Sequence, residues 1–220
     1  MELLSQDYIF SFGFRWLHIL VGIAWIGLLY YFNLVQTEYF KEADPAARND
    51  AFVKLVPRAL WWFRYGAMFT LLTGLVMLGI RGAGITADIT LGVVIATIMF
   101  LNVWLVIWPN QRIVIRSNEQ IKAGGQALPE AAAAAPKAGL ASRTNATLSI
   151  PMLYLMGSSA HYSSGDIGSN SVGLIIGLVI VAAIEANALF GKQGPMTTVR
   201  GFITCGLALT VVLVGLLTFL

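Results

Sequence analysis

Six stretches of mostly apolar residues alternate with polar segments along this chain, at approximately 8–35, 59–80, 89–108, 141–162, 172–190 and 199–220. About 20 apolar residues rising about 1.5 Å each cross the roughly 30 Å hydrocarbon core of a bilayer. The pattern predicts an all-α, polytopic transmembrane helix bundle of about six spans, forming a single domain over 1–220. The fourth span is the weakest, because Thr147, Ser149, Ser158 and Ser159 dilute it. That dilution predicts a helix facing protein neighbours or a polar site instead of lipid. The Ala-rich stretch 123–138, interrupted by Gly124, Gly125, Pro129 and Pro136, reads as a flexible cytoplasmic connector. The polar residues 1–7 precede an apolar run too long for the core of a signal peptide, so the first run is expected to stay as a span.

Composition agrees with lipid as the main solvent. Of the 220 residues 57% are hydrophobic and 11% charged, and the mean hydropathy is +0.75. A soluble domain carries about 25% charged residues. A net charge of +3 is too small to suggest a nucleic-acid partner. Where the charges fall says more. Segments one-to-two (Lys41, Arg48, Lys54, Arg58, Arg64), three-to-four (Arg112, Arg116, Lys122, Lys137, Arg143) and five-to-six (Lys192, Arg200) hold twelve of the fourteen Lys and Arg residues. Basic loops stay in the cytoplasm, so both chain ends are expected on the periplasmic side. Only Arg15 and Arg81 remain on the opposite side.

The two histidines, His18 and His161, then fall in the outer half of the membrane on different helices. Intramembrane ionisable residues default to functional roles. Ser11, Arg15, His18, Gly22 and Trp25 follow a 4-3-4-3 spacing that places them on one helix face, and Tyr154, Gly157 and His161 share another. Gly22 and Gly157 each stand four residues to the membrane-inward side of a histidine, where they clear room for a flat macrocycle. Arg15 lies one turn outward of His18, where it suits a haem propionate. Axial histidine is an expected haem ligand. This makes His18 and His161 candidate iron ligands of haem b, with Arg15, Gly22 and Gly157 completing the binding set. A substrate or proton role, or simple interhelical hydrogen bonding, stays open for either ring. Their depths do not match by residue count: His18 lies about 15 Å into a span starting at residue 8, whereas His161 ends its span.

Copper is a lesser alternative, through Met152, Met156 and His161, since Cys205 sits toward the opposite leaflet. Glu185 and Asn187 near the inner end of span five read as structural, with Glu185 accepting from Arg64 or another inner-leaflet donor. Asn33, Gln36 and Asn102 read as interhelical hydrogen bonders. Arg58 and Arg64 flank Trp61 and Trp62 as an interfacial anchor with snorkelling arginines. The rows Gly66-Thr70-Gly74, Gly92-Ala96 and Gly173-Gly177 mark close helix packing. No CxxCH, HExxH or Gly-rich nucleotide loop is present, so any redox chemistry needs a bound cofactor or a partner.

Four segments carry a family likeness: RWLHILVGIAWIGLLYYFNLVQ (15–36), PRALWWFRYGAMFTLLTGL (57–75), NVWLVIWPNQ (102–111) and ASRTNATLSIPMLYLMGSSAHY (141–162). Together they resemble the membrane domain of the urate oxidase N-terminal family, closely over the first four spans and more loosely over the last two. That resemblance implies a bacterial inner-membrane oxidoreductase akin to membrane-bound urate hydroxylases, which pass electrons from urate to a fused cytochrome c. The family's histidine-bearing motifs fall on Arg15-Trp16-Leu17-His18 and Ser159-Ala160-His161-Tyr162. No cytochrome c segment is present here. The resemblance therefore implies a separate periplasmic cytochrome c as partner or, alternatively, a non-catalytic membrane subunit scaffolding a respiratory or oxidase complex.

Overall fold

The computed structural model describes residues 8–220; the polar stretch 1–7 lies outside the described residues. Among them seven helices make up the fold, with no strand beyond one isolated bridge between Thr86 and Asp166. They are α1 (Tyr8–Glu42), α2 (Pro45–Lys54), α3 (Val56–Arg81), α4 (Ala87–Lys122), α5 (Ala131–His161), α6 (Ser171–Phe190) and α7 (Val199–Phe219). Helices α1, α3, α4, α6 and α7 are long and apolar enough to cross a membrane. The fold is an all-α bundle, and its exposed apolar side chains, among them Ile23, Leu105, Val179 and Val211, suit contact with lipid tails.

Helix α5 is the axis of the bundle. It packs on α4, α6 and α7 and touches α1, and it buries Thr144, Asn145, Thr147, Ser149, Ser158 and Ser159. Its dilution with hydroxyls and amides thus reflects protein neighbours, as the sequence suggests. The connector needs correction. Helix α5 starts at Ala131, so only 123–130 is non-helical, and Ala134 and Ala138 are buried. Alanine is the strongest helix former, and a run of five of them extends the helix wherever a neighbour covers its methyl face.

Small residues set the interhelix contacts. A Cβ at Gly66 would stand 3.0 Å from the Trp25 backbone nitrogen, and one at Gly92 would stand 3.3 Å from Leu155 Cβ. Gly173 lies directly against the Leu216 carbonyl. Two stretches of wide, π-type turns interrupt α1 at Tyr31–Gln36 and α4 at Asn102–Ile107. Both hold a buried asparagine aimed at α5: Asn33 donates to Ser142 Oγ at 2.9 Å, and Asn102 donates to Asn145 Oδ1 at 3.0 Å. Such turns rotate a side chain off the regular helical face. Asn102 also donates to Glu185 Oε2 at 2.9 Å, so the glutamate is held by an amide and not by Arg64. Arg64 is itself buried beneath the Trp108 ring at 3.4 Å from its centroid, an inward stack and no snorkelling anchor.

The helices form two groups. The hairpin of α1 and α3 lies against a body of α4 to α7, and the seam between them differs at its two ends. At the end bearing α2 it is closed by the Arg64–Trp108 stack, by Asn33–Ser142 and by Tyr30 Oη–Ser149 Oγ at 3.0 Å. Toward the other end, where α3 finishes at Arg81, it parts into a cleft.

Candidate functional site

Two cavities occupy that cleft, of about 430 and 380 Å³. Both have His18, Gly74, Leu78, Val93 and Met156 in their walls, so they are adjoining chambers. Ligand pockets fall in the range of about 300–1,000 Å³. The deeper chamber has walls of Gly22, Trp25, Ile26, Ala96 and Met152 with few polar groups. The chamber nearer the Arg81 end brings together Arg15, His18, Arg81, Ser159 and His161.

Helix α1 supplies the cleft's first wall through the face read from its 4-3-4-3 spacing. Ser11, Arg15 and His18 border the polar chamber, and His18, Gly22 and Trp25 border the apolar one. Helix α5 delivers His161 at its last residue, where the side chain is exposed. The two histidines therefore border one chamber in spite of their unequal depth by residue count. Gly157 is exposed, has open space where a Cβ would stand, and borders neither chamber. Tyr154 likewise faces outward.

The imidazole of His18 is fixed from α3. Its Nδ1 lies 3.0 Å from Thr73 Oγ1, and Thr73 Oγ1 donates its own hydrogen to the Phe69 and Thr70 carbonyls at 2.7 and 3.1 Å. A hydroxyl has a single hydrogen. With that hydrogen spent on the helix backbone, Thr73 accepts and His18 Nδ1–H donates. The proton assignment follows from these partners, and it leaves Nε2 with its lone pair. The ring packs against Gly74, where a Cβ would meet His18 Cε1 at 3.2 Å. The glycine that makes room for this imidazole thus stands on the facing helix.

Arg81 spans the rim of the cleft. Its Nε donates to the Gly84 carbonyl at 2.7 Å, and its Nη atoms donate to Ser159 Oγ at 3.2 Å and to the Ser159 carbonyl at 2.7 Å. All three acceptors are neutral. Arg15 forms no ion pair among the described residues, and no carboxylate borders the polar chamber. Among the described residues, then, no carboxylate neutralises either guanidinium at this mouth. The nearby carboxylate of Asp88 is buried and occupied, accepting from Ser158 Oγ at 2.8 Å, Ser164 N at 2.8 Å and Ser163 Oγ at 3.3 Å. It pins the loop that follows His161. In the same loop the Ser169 backbone N–H and hydroxyl hold the Asp166 carboxyl below the usual range.

Gly74, Met77 and Arg81 in the cleft wall, and Thr73, which holds the His18 ring, all lie on α3 and were missed by reasoning on the two histidine helices. Arg81 had a signal: with Arg15 it is one of the two basic residues left on the sparsely charged side, and both border this chamber. Met152 and Met156 also border the cleft, but no group of three or more His, Cys, Asp or Glu side chains that could hold a metal ion occurs among the described residues. Cys205 lies apart on α7, half-buried.

The profile of the family described as urate oxidase N-terminal matches residues 82–218, well over half of the chain, and the chain belongs to that family. The matched segment takes in His161 and α4 to α7; α1 and α3, with His18 and Arg81, lie ahead of it. No curated protein and no solved structure matches the chain.

Proposed function

We propose, on the premise of that membership, that this protein is the membrane domain of a urate hydroxylase-like redox system and holds haem b in the cleft between its two helix groups. The observation that carries the reading is the asymmetry of the cleft: an apolar chamber continuous with a cationic one, and a histidine with a free Nε2 between them. A flat apolar macrocycle with an anionic edge suits those walls. His18 and His161 would hold the iron, and Arg15 and Arg81 would neutralise the anionic edge of the group. The Nδ1–H to Thr73 bond supports this, because metal-bound imidazoles usually donate their other ring N–H to an acceptor that fixes the ring. Trp25, a residue of the apolar chamber's wall, adds support: its buried Nε1–H finds no partner among the described residues. Bound there, haem supplies one-electron transfer. The residues of this chain orient it, exclude water from its apolar body and neutralise its edge. Basic loops held in the cytoplasm would turn the Arg81 end to the periplasm, within reach of a separate cytochrome c. Urate or a related purine is the substrate class that the family suggests, and the bacterial inner membrane is the expected location.

Oxidised and reduced spectra of the protein purified after expression with ample haem test this reading. A Soret band that shifts on reduction and disappears in His18→Ala is the expected result. A folded, colourless wild type, or an unchanged band in the variant, overturns the assignment.

One observation favours a second reading, a non-catalytic subunit that scaffolds an oxidoreductase complex. Exposed Ile19, Ile23 and Leu153 form part of the apolar chamber's wall, so a helix of a partner subunit could seat there. Co-purification of a partner with no bound cofactor would select it.

A further inference from the structure

We infer that the α2 end of the bundle carries a second ligand site, separate from the cleft, that takes a monoanionic phosphate group bearing hydroxyl donors. A polar cavity of about 240 Å³ lies there, bordered by Gln36, Lys41, Gln111 and Arg143. Among the described residues six buried side-chain polar atoms lack a partner within the protein, and three of them belong to this one wall: Gln36 Oε1, Gln111 Oε1 and Arg143 Nη1. Buried polar groups are rarely left unpaired, and a charged one least of all. Arg143 is 4% exposed. The Phe202 ring lies 5.1 Å from its guanidinium carbon, and its Nη2 reaches Glu38 only at 3.6 Å. Glu38 also pairs with Lys41 at 2.8 Å. Two cations thus share one carboxylate, which leaves one positive charge beside the cavity.

The wall sets the chemistry of its occupant. Arg143 and Lys41 call for an anionic acceptor, while the two glutamine carbonyls call for donors. An ionised carboxylate only accepts. Water satisfies the amides but not the charge. A phosphate with attached hydroxyls meets both demands, and charge-assisted bonds from guanidinium to phosphate are among the strong ones. Two sources present that group: inorganic phosphate in its dihydrogen form, and the headgroup of phosphatidylglycerol, whose glycerol hydroxyls stand beside the phosphate. This site does not depend on the redox reading.

The full chain in nanodiscs tests it, with the sources in separate arms. In phosphatidylcholine discs, inorganic phosphate is titrated calorimetrically against sulfate, an anion without hydroxyl donors near neutral pH. In the second arm, retention of phosphatidylglycerol over phosphatidylcholine is read by native mass spectrometry. Saturable phosphate binding that sulfate does not match assigns the free anion, and selective retention of the glycerol lipid assigns the headgroup. Gln111→Leu should weaken whichever is bound about tenfold, the loss of one buried hydrogen bond at roughly 1.4 kcal/mol per decade. Lys41→Gln, at a partly exposed position, should do likewise while Arg143 is left in place. Binding of neither probe by folded wild-type protein, or binding that both variants leave unchanged, shows a solvent-filled cavity and overturns the proposal.

Discussion

The seam between the α1–α3 hairpin and the α4–α7 body is built in two ways along its length. Near α2 it is closed by a stacked Arg64–Trp108 pair and by hydrogen bonds from Asn33 and Tyr30 to α5. Near Arg81 the same helices part, and the residues between them include two histidines, two arginines and the small residues Gly22 and Gly74. Both ends hold arginines, and their surroundings decide what those arginines do. Arg64 is covered by Tyr65, Trp104 and Trp108, three aromatic rings within 5.7 Å of its guanidinium carbon, and serves cohesion. Arg81, at an open mouth, bonds only neutral oxygens among the described residues and pairs with none of their carboxylates. Cohesion at one end lets the other stay open.

Loss of the closed end should give the largest change. Arg64→Ala removes a desolvated cation from three aromatic faces, and it should cost about 2 kcal/mol of stability, read as a lower midpoint of thermal unfolding in detergent. Arg81→Ala should cost less, about 1 kcal/mol, because its bonds to Ser159 and Gly84 lie at a rim where water replaces them in part. Equal losses in the two variants would erase the contrast between the ends. Arg81→Gln should instead weaken retention of the proposed haem about tenfold, measured as haem transfer to an acceptor protein, because one propionate would lose its charged partner. Thr73 sharpens the comparison further. Thr73→Val leaves His18 Nδ1–H without its acceptor, whereas Thr73→Ser keeps it. Nitrogen-15 NMR of labelled histidine should show the Nδ1–H form in wild type and the serine variant, and a mixture of tautomers in the valine variant.

The smallest effect belongs to the exposed strap at the closed end. Hydrogen bonds first from Lys122 and then from Lys54 hold the Asp50 carboxyl below its ordinary value. A carboxyl lowered by folding contributes above its unfolded pKa, near 3.9, and that contribution fades as the pH falls through the folded value. Melting scans at falling pH should show a slight loss below about pH 4 that Asp50→Asn lacks. The site is exposed and salt-screened, so the difference should be small.

Much of this protein is legible in the chain itself. Hydropathy marks five of the long helices directly. The polar fourth run is legible as well, because hydroxyls and amides in an otherwise apolar stretch point to protein neighbours, and α5 is the buried axis. The face of α1 from Ser11 to Trp25 follows from 3.6-residue periodicity, and it does border the cleft. The start of α5 was harder to read, since glycines and prolines nearby mask the helix-forming strength of the alanine run. On α3 nothing in the sequence says which side of Thr73 faces α1.

What the sequence by itself determined is therefore the long apolar helices, the polar character of α5 and the face of α1, for these depend on neighbours three or four residues away. The tertiary structure alone decided which faces meet. It set Thr73 against His18, Arg81 across Ser159, and His161 beside a chamber that residue counting placed at another depth. Such pairings depend on how far helices tilt and part, which is fixed by small-residue contacts such as Gly66 on Trp25, and those lie far apart along the chain.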